Sequence, residues 1–158
     1  VAVRDSVARS MDAGKAKRKK VLLNIPYNDQ WFVPSRDNYL SVMVRDAGGE
    51  VLGTKDGTAS TVMPLEKAYA LGKEADCWIN AGWCSTLEEL RRVHPLFGDI
   101  LEHVGDEVWN DDKRLSLSGG NDIWQSGVVR PDLVLKDLAS ALHPEVIEDT
   151  AYYYRKLH

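Results

Sequence analysis

Apolar positions along this chain alternate between helical spacing and short continuous runs. In residues 1–11, Val3, Val7 and Ala8 fall on one side and Arg4, Asp5 and Arg9 elsewhere, which predicts an amphipathic helix. Val21-Leu22-Leu23-Asn24-Ile25, ended by Pro26, predicts a buried strand. Residues 27–34 read as a loop with Asn28, Asp29 and two exposed aromatics, Trp31 and Phe32. Ser35 or Asp37 is placed to cap a helix through Tyr39, Leu40, Met43 and Val44, stopped by Gly48-Gly49. Glu50-Val51-Leu52 predicts a second short strand, followed by a polar stretch over residues 53–61. Pro64 stands in the first turn of a helix whose apolar face is Leu65, Ala68, Tyr69 and Leu71. Residues 76–80 predict a third strand. Ser85 and Glu88 then have the spacing of a capping box for the next helix. Glu107-Val108-Trp109-Asn110 predicts a fourth strand, and residues 111–121 a loop. The last helix starts near Pro131 and carries Leu133, Val134, Leu138 and Leu142 up to Pro144. The aromatic tail Tyr152-Tyr153-Tyr154 is expected to pack back on the body.

Strands alternating with helices predict an α/β fold: a three-layer lobe with a short, mainly parallel sheet flanked by helices. The 158 residues, 44% hydrophobic and 28% charged, suit one compact domain with a core of its own. The charge balance, 24 acidic against 20 basic residues, gives no reason to expect a nucleic-acid partner. The dense basic run Lys15, Lys17, Arg18, Lys19 and Lys20 reads as a solvated helix end. Cys77 and Cys84 are too few for a disulfide framework or a zinc site. No apolar run approaches the length of a membrane span. The chain opens without Met and already inside a helical pattern, which reads as a piece of something longer.

The chain lacks the common nucleophile, phosphate-binding and dinucleotide-binding motifs. There is no G-x-S-x-G elbow, P-loop or G-x-G-x-x-G fingerprint. The histidines, His94, His103, His143 and His158, lack metal-ligand spacing, and His94 and His143 each precede a proline at a helix end, where capping or surface roles are expected. Cys84 follows a strand but has no neighbouring base. No catalytic residue, metal ligand or cofactor is therefore assigned. What remains is a set of aromatics and amides at strand C-terminal ends, where ligands of open α/β sheets sit. They are Tyr27, Asn28 and Trp31; Asn80, Gly82 and Trp83; Trp109, Asn110 and Asp111; and Asn121, Asp122 and Trp124. Indole faces with a few amides suit a large, bulky ligand. Lys113 and Arg114 lie where they could meet an anionic one.

Lys20-Val21-Leu22-Leu23-Asn24-Ile25-Pro26-Tyr27, Trp31-Phe32-Val33-Pro34, Asp46-Ala47-Gly48-Gly49 and the long run from Gly119-Gly120-Asn121-Asp122-Ile123-Trp124 through Arg130-Pro131-Asp132 to Leu138 carry a family resemblance. The chain resembles, over nearly its whole length, the C-terminal lobe of the periplasmic binding proteins for ferric siderophores and vitamin B12. It especially resembles the iron-compound binding proteins of Bacteroidetes-type bacteria. The resemblance implies a lobe of a two-lobed, class III substrate-binding protein, with residues 1–20 as the end of the inter-lobe helix and a basic connector, and residues 21–158 as the lobe. It implies an extracytoplasmic location, periplasmic or lipid-anchored, and an N-terminal lobe elsewhere in the same chain. The ligand would be a small-molecule metal chelate, namely a ferric siderophore, haem or a corrinoid, handed to ABC transporter permease subunits. Tyr27, Trp31, Trp83, Asn110, Arg114, Asn121 and Trp124 would face that ligand, and Asp37 would dock on the permease. Arg130 and Asp132 read as positioning the last helix. Two other classes compete: a chelatase-like enzyme, which would want a paired His and Glu in the cleft, and a purely partner-binding domain.

Overall fold

A computed structural model describes residues 2–26, 30–81, 84–115, 120–121, 123, 126–147 and 151–158. In chain order the elements are α1 (Ala2–Asp12), β1 (Lys19–Leu23), β2 (Trp31–Pro34), α2 (Tyr39–Asp46), β3 (Gly49–Val51), β4 (Ser60–Met63) and α3 (Leu65–Gly72). Then come β5 (Cys77–Ile79), α4 (Leu87–Val93), α5 (Phe97–Val104), β6 (Val108–Asn110), α6 (Ser126–Val129), α7 (Pro131–Leu142) and β7 (Arg155–Lys156). The main sheet runs β3-β1-β5-β6-β7, parallel except for β7, which pairs antiparallel with β6. β2 and β4 form a separate antiparallel ribbon.

Side chains alternate across β1 and so reach both helical layers. Val21 lies beside Gly49 with Val44 of α2 and Leu142 of α7, whereas Leu22 lies beside Gly72 of α3 with Ile100 of α5. α1, α2 and α7 pack on one another as one layer, and α5 joins α3 and α4 in the other. This is the predicted three-layer α/β lobe.

The largest departure from the sequence pattern is Trp31. It is neither in a loop nor exposed: it opens β2 and is 0% exposed. Its ring stacks on Trp78 at 6.1 Å and meets Phe97 and Tyr69 edge-on at 6.0 and 6.4 Å. The cause is a ribbon that local pattern does not reveal. Trp31 pairs with Met63 and Phe32 with Val62, so the alternation turns Trp31 and Val33 inward and Phe32 outward. The indole N–H of Trp31 donates to the carbonyl of Leu23 (2.8 Å), and that of Trp78 donates to the carbonyl of Asn24 (2.7 Å). Two buried donors thus take the carbonyls at the end of β1, as buried polar groups require.

Other corrections are local. Asn38, rather than Ser35 or Asp37, caps α2, its side chain accepting from the N–H of Leu40. Thr86, rather than Ser85, caps α4, and Glu89 reaches back to the N–H of Ser85 at 2.7 Å, a capping box one residue further on. α5 was not anticipated, although Phe97, Ile100, Leu101 and Val104 have helical spacing. Arg18 does not serve the end of α1. It donates to the carbonyls of Arg45 and Gly49, at the C-terminal end of α2, where a cation complements the helix dipole.

His143 ends α7 but is fully buried rather than at the surface. Its Nδ1 lies 3.0 Å from the Glu145 carboxylate and its Nε2 2.9 Å from the carbonyl of Gly48. Gly48 has φ 93°, and a Cβ there would lie 2.5 Å from the His143 ring, so the turn requires glycine on both grounds. Arg130 and Asp132 form a two-bond pair at the start of α7, at 3.0 and 2.8 Å, as their placement suggested.

The aromatic tail packs on the body as expected, and one buried carboxylate holds it. Asp137 of α7, 1% exposed, accepts from the backbone N–H groups of Tyr152, Tyr153 and Tyr154. Tyr153 and Tyr154 are thereby buried, and β7 is delivered to the edge of β6.

Replacing Trp31 with Ala removes the centre of the aromatic cluster and leaves the Leu23 carbonyl without its donor. Urea denaturation is expected to show a loss of about 3–5 kcal/mol. A loss under about 1 kcal/mol, the scale of a surface change, would contradict the core position.

Candidate functional site

In open α/β sheets the ligand crevice lies outside the strand C-termini, at the point where successive connections depart to opposite sides. Here β1 is followed outward by β3 on one side, while β5 pairs with its other side, so that point lies between β1 and β5. Both strands run into asparagines with left-handed backbone, Asn24 (φ 71°) and Asn80 (φ 59°). Asparagine tolerates this conformation better than most residues, and it turns the chain sharply away from the sheet. The Asn24 amide also donates to the Phe32 carbonyl at 3.0 Å and ties the end of β1 to the ribbon.

A cleft of about 530 Å³ opens over these two ends. Its lining includes Asn24, Ile25, Asn80 and Asp111 from the strand ends, with Pro34, Tyr39 and Leu40 on the α2 side. An apolar hollow of about 100 Å³ shares Tyr39, Leu40, Asn80 and Asp111 and adds Ile123, Val134 and Tyr154. Tyr39, in the first turn of α2, is 60% exposed, a large aromatic presented to solvent.

Burial pushes the Asp111 carboxyl above the usual carboxylate range. Neighbouring Asp112 adds to this, and the Asn121 amide N–H, 3.2 Å away, opposes it. Asp112 is itself held by Arg155 through bonds of 2.7 and 3.0 Å, and Arg155 also donates to the carbonyl of Ser85. Burial drives the Tyr154 phenol far above its ordinary value, helped by Asp111 and Asp137 and opposed by a hydrogen bond with the Asn80 side chain. It therefore stands in the hollow as a neutral phenol. The Asn80 Oδ1 is buried with no hydrogen-bond partner among the described residues.

The structure brings some of the residues expected from the sequence to this cleft and places others elsewhere. Asn121 is half-buried and joins the cleft through its bond to Asp111. Asn110 is not among the residues lining the cleft: it is 1% exposed, and its amide donates to the Cys84 carbonyl at 2.8 Å. The next residue, Asp111, takes the cleft position because alternation reverses at each step along the strand. Trp31 is a core residue. Arg114 is exposed, with its guanidinium 4.0 Å from the centre of the Tyr152 ring, and it is not part of the cleft lining. Asp37 is exposed on the turn before α2. Tyr27, Trp83 and Trp124 lie outside the described residues. Tyr39 and Tyr154 were missed as cleft residues. The available signal for Tyr39 was its place directly after a capping asparagine, where a side chain points away from the helix's buried stripe.

Among the described residues, no group of three or more His, Cys, Asp or Glu side chains is placed to hold a metal ion. Cys77 and Cys84 form no disulfide and are buried. Burial, with Glu107 and Asp76 nearby, pushes Cys77 up to about 12, and burial with Glu89 pushes Cys84 up to about 11. Both are held as thiols, the unreactive form. No described helix is long and apolar enough to cross a membrane.

No family model matches the chain. It is 29% identical over 147 residues to an uncharacterised lipoprotein of Methanocaldococcus jannaschii, a match spanning 88% of this chain and 31% of that protein. Among solved structures it superposes on a TroA-like periplasmic binding protein, FepB, of Veillonella parvula with a TM-score of 0.69 at 13% identity, covering 99% of this chain and 52% of that one. A periplasmic heme binding protein of Pseudomonas aeruginosa gives 0.61 at 14%, over 98% and 52%. An ABC transporter substrate-binding protein of Listeria monocytogenes gives 0.56 at 15%, over 89% and 54%. At these identities the likeness establishes the fold alone: an α/β lobe with a mainly parallel sheet, which superposes on part of each of those binding proteins. The chain spans about a third of the lipoprotein and about half of each structural neighbour.

Native protein at pH 7.5 is expected to leave Cys77 and Cys84 unlabelled by an aromatic disulfide reagent over minutes, and to label both once unfolded in urea. Rapid labelling of either thiol in the native state would contradict their burial.

Proposed function

We propose that this lobe is one jaw of an extracytoplasmic substrate-binding protein that delivers a metal chelate to an ABC importer, with no catalysis of its own. One observation carries the reading. The cleft at the β1/β5 ends, floored by Asn24, Asn80 and Asp111 and walled by Tyr39 and Leu40, lies where a second lobe would close over a ligand. The chain's coverage of half of its structural neighbours supports a second lobe as the other jaw. On this reading α1, which packs on α2 and α7, carries the chain in from the other lobe, and the sheet of this lobe begins with β1 at Lys19 rather than at residue 21. The ligand is a ferric siderophore, with haem or a corrinoid as the other members of the class, and Tyr27, Trp83 and Trp124 supply stacking faces around it. The lipoprotein relative supports a lipid-anchored or periplasmic location.

Binding should need both jaws, because an open platform leaves most of a bulky ligand in water. Tryptophan quenching with ferric siderophores, haem and corrinoids is expected to give tight binding of at least one probe by the two-lobed protein. The 158-residue lobe is expected to bind about 100-fold or more weaker, since half of the contacts are absent. Failure of every probe to quench the two-lobed protein, or equally tight binding by the lobe alone, would overturn the reading.

Asp37 is proposed as the docking point on the permease. Its carboxylate is exposed, the capping of α2 falls to Asn38, and a carboxylate is the natural partner of an arginine fork. Asp37→Lys is expected to reduce uptake in cells about tenfold while leaving ligand affinity unchanged. Unchanged uptake would remove Asp37 from that role.

A further inference from the structure

We infer that the cleft selects its ligand by charge: Asp111 and Asn80 receive a cationic or hydrogen-bond-donating group, and anionic chelates are disfavoured. This inference rests on the ligand-binding reading above and narrows it to a substrate class.

The geometry starts from which groups meet at the β1/β5 mouth. Asp111 and the buried Oδ1 of Asn80 both line the cleft, and both are acceptors. No lysine, arginine or histidine lines either the cleft or the hollow, and all of the chain's cationic residues are among those described. The charged and titratable groups around Asp111 can be named element by element. Asp112 follows it on the same loop and is already paired with Arg155. Tyr39 comes from α2, and Tyr154 from the tail held by Asp137 of α7. Asn121, which is neutral, supplies the amide that meets Asp111. None of these gives the carboxylate a counter-charge, which is why burial raises its proton affinity.

Two features could have favoured an anion, and neither does so here. The N-terminus of α2 opens toward the cleft, but its partial charge is only about half a unit, and Asn38 already accepts from the N–H of Leu40. The chain does have an arginine-lined hollow of about 290 Å³, made by Arg18, Arg36 and Arg45, but it lies along the edge strand β3, where Gly49, Glu50 and Val51 contribute to it. On this jaw, a ligand that covers Asp111 is favoured when it brings its own positive charge or donor. An unpaired carboxylate sealed against an anion would meet both desolvation and repulsion.

The test uses the two-lobed protein and three ferric chelates that differ only at one end. They are a linear ferric trihydroxamate with a terminal ammonium, its N-acetyl derivative and its N-succinyl derivative. The expected affinity order at pH 7.5 is ammonium, then acetyl, then succinyl, with about tenfold or more between the extremes. Asp111→Asn should flatten that order while circular dichroism stays unchanged, and Asp111→Ser provides a second variant if the first misfolds. Affinity for the ammonium form should also fall as pH drops through the Asp111 titration, because the protonated carboxyl loses its attraction. That dependence should disappear in Asp111→Asn. Binding of all three chelates in a flat or reversed order, or an order that survives in Asp111→Asn, overturns the inference and leaves the binding role standing. Failure of all three to bind the wild-type protein overturns the inference together with the ferric-chelate reading.

Discussion

Two buried indole N–H groups decide where the first strand stops. Trp31 and Trp78 take the carbonyls of Leu23 and Asn24, while the N–H of Asn24 still completes the ladder to Ile79. The pairing of β1 with β5 ends at Leu23 opposite Ile79, and Asn24 turns left-handed. A buried carbonyl without a donor costs on the order of 1–3 kcal/mol, so these bonds specify the strand end as well as stabilising it. The indoles are in turn fixed by Phe97, Tyr69 and the β2–β4 ribbon. The aromatic core beneath α3 and α5 thus determines the floor of the cleft above the sheet.

The rest of the cleft follows from how neighbouring segments are tethered. Asn80 ends β5 as Asn24 ends β1. Asp137 draws the tail inward so that Tyr154 closes the apolar hollow. Arg155 joins the tail to Asp112 and Ser85, gathering the loops that follow β5 and β6. Asp112 is neutralised by this tether, and its neighbour Asp111 is the acidic side chain of the mouth among the described residues. Structural pairing and cleft-facing charge are therefore separated between adjacent residues.

The layer architecture was legible because it rests on local periodicity: the runs at Val21-Leu22-Leu23 and Cys77-Trp78-Ile79 and the stripes of α3 and α7 are visible without long-range information. The position of the cleft was legible for the same reason, since strand ends at Asn80 and Asn110 fix it to within a residue. Side-chain direction was not. Asn110 and Asp111 differ by one step of a two-residue repeat, and a three-residue strand does not reveal its phase. Trp31 was misread because its burial depends on pairing with a segment 32 residues away, from Trp31 to Met63, inside a stretch that looks polar. Asp137 gave no local sign at all. A carboxylate on a helix's buried face becomes intelligible only when the three N–H groups of the tail are seen converging on it.

On the proposed function the ligand sits at the strand ends of β1 and β5 rather than on any other surface of the lobe. The most direct test is an NMR titration of the lobe with the chelate, following backbone amides and the side-chain amides of the asparagines. Binding at the strand ends should shift Asn24, Tyr39, Asn80, Asp111 and Tyr154 and leave Arg18, Arg45 and Glu50 unmoved. Shifts confined to the β3 edge, with the Asn24 and Asn80 side-chain amides unchanged, would contradict it.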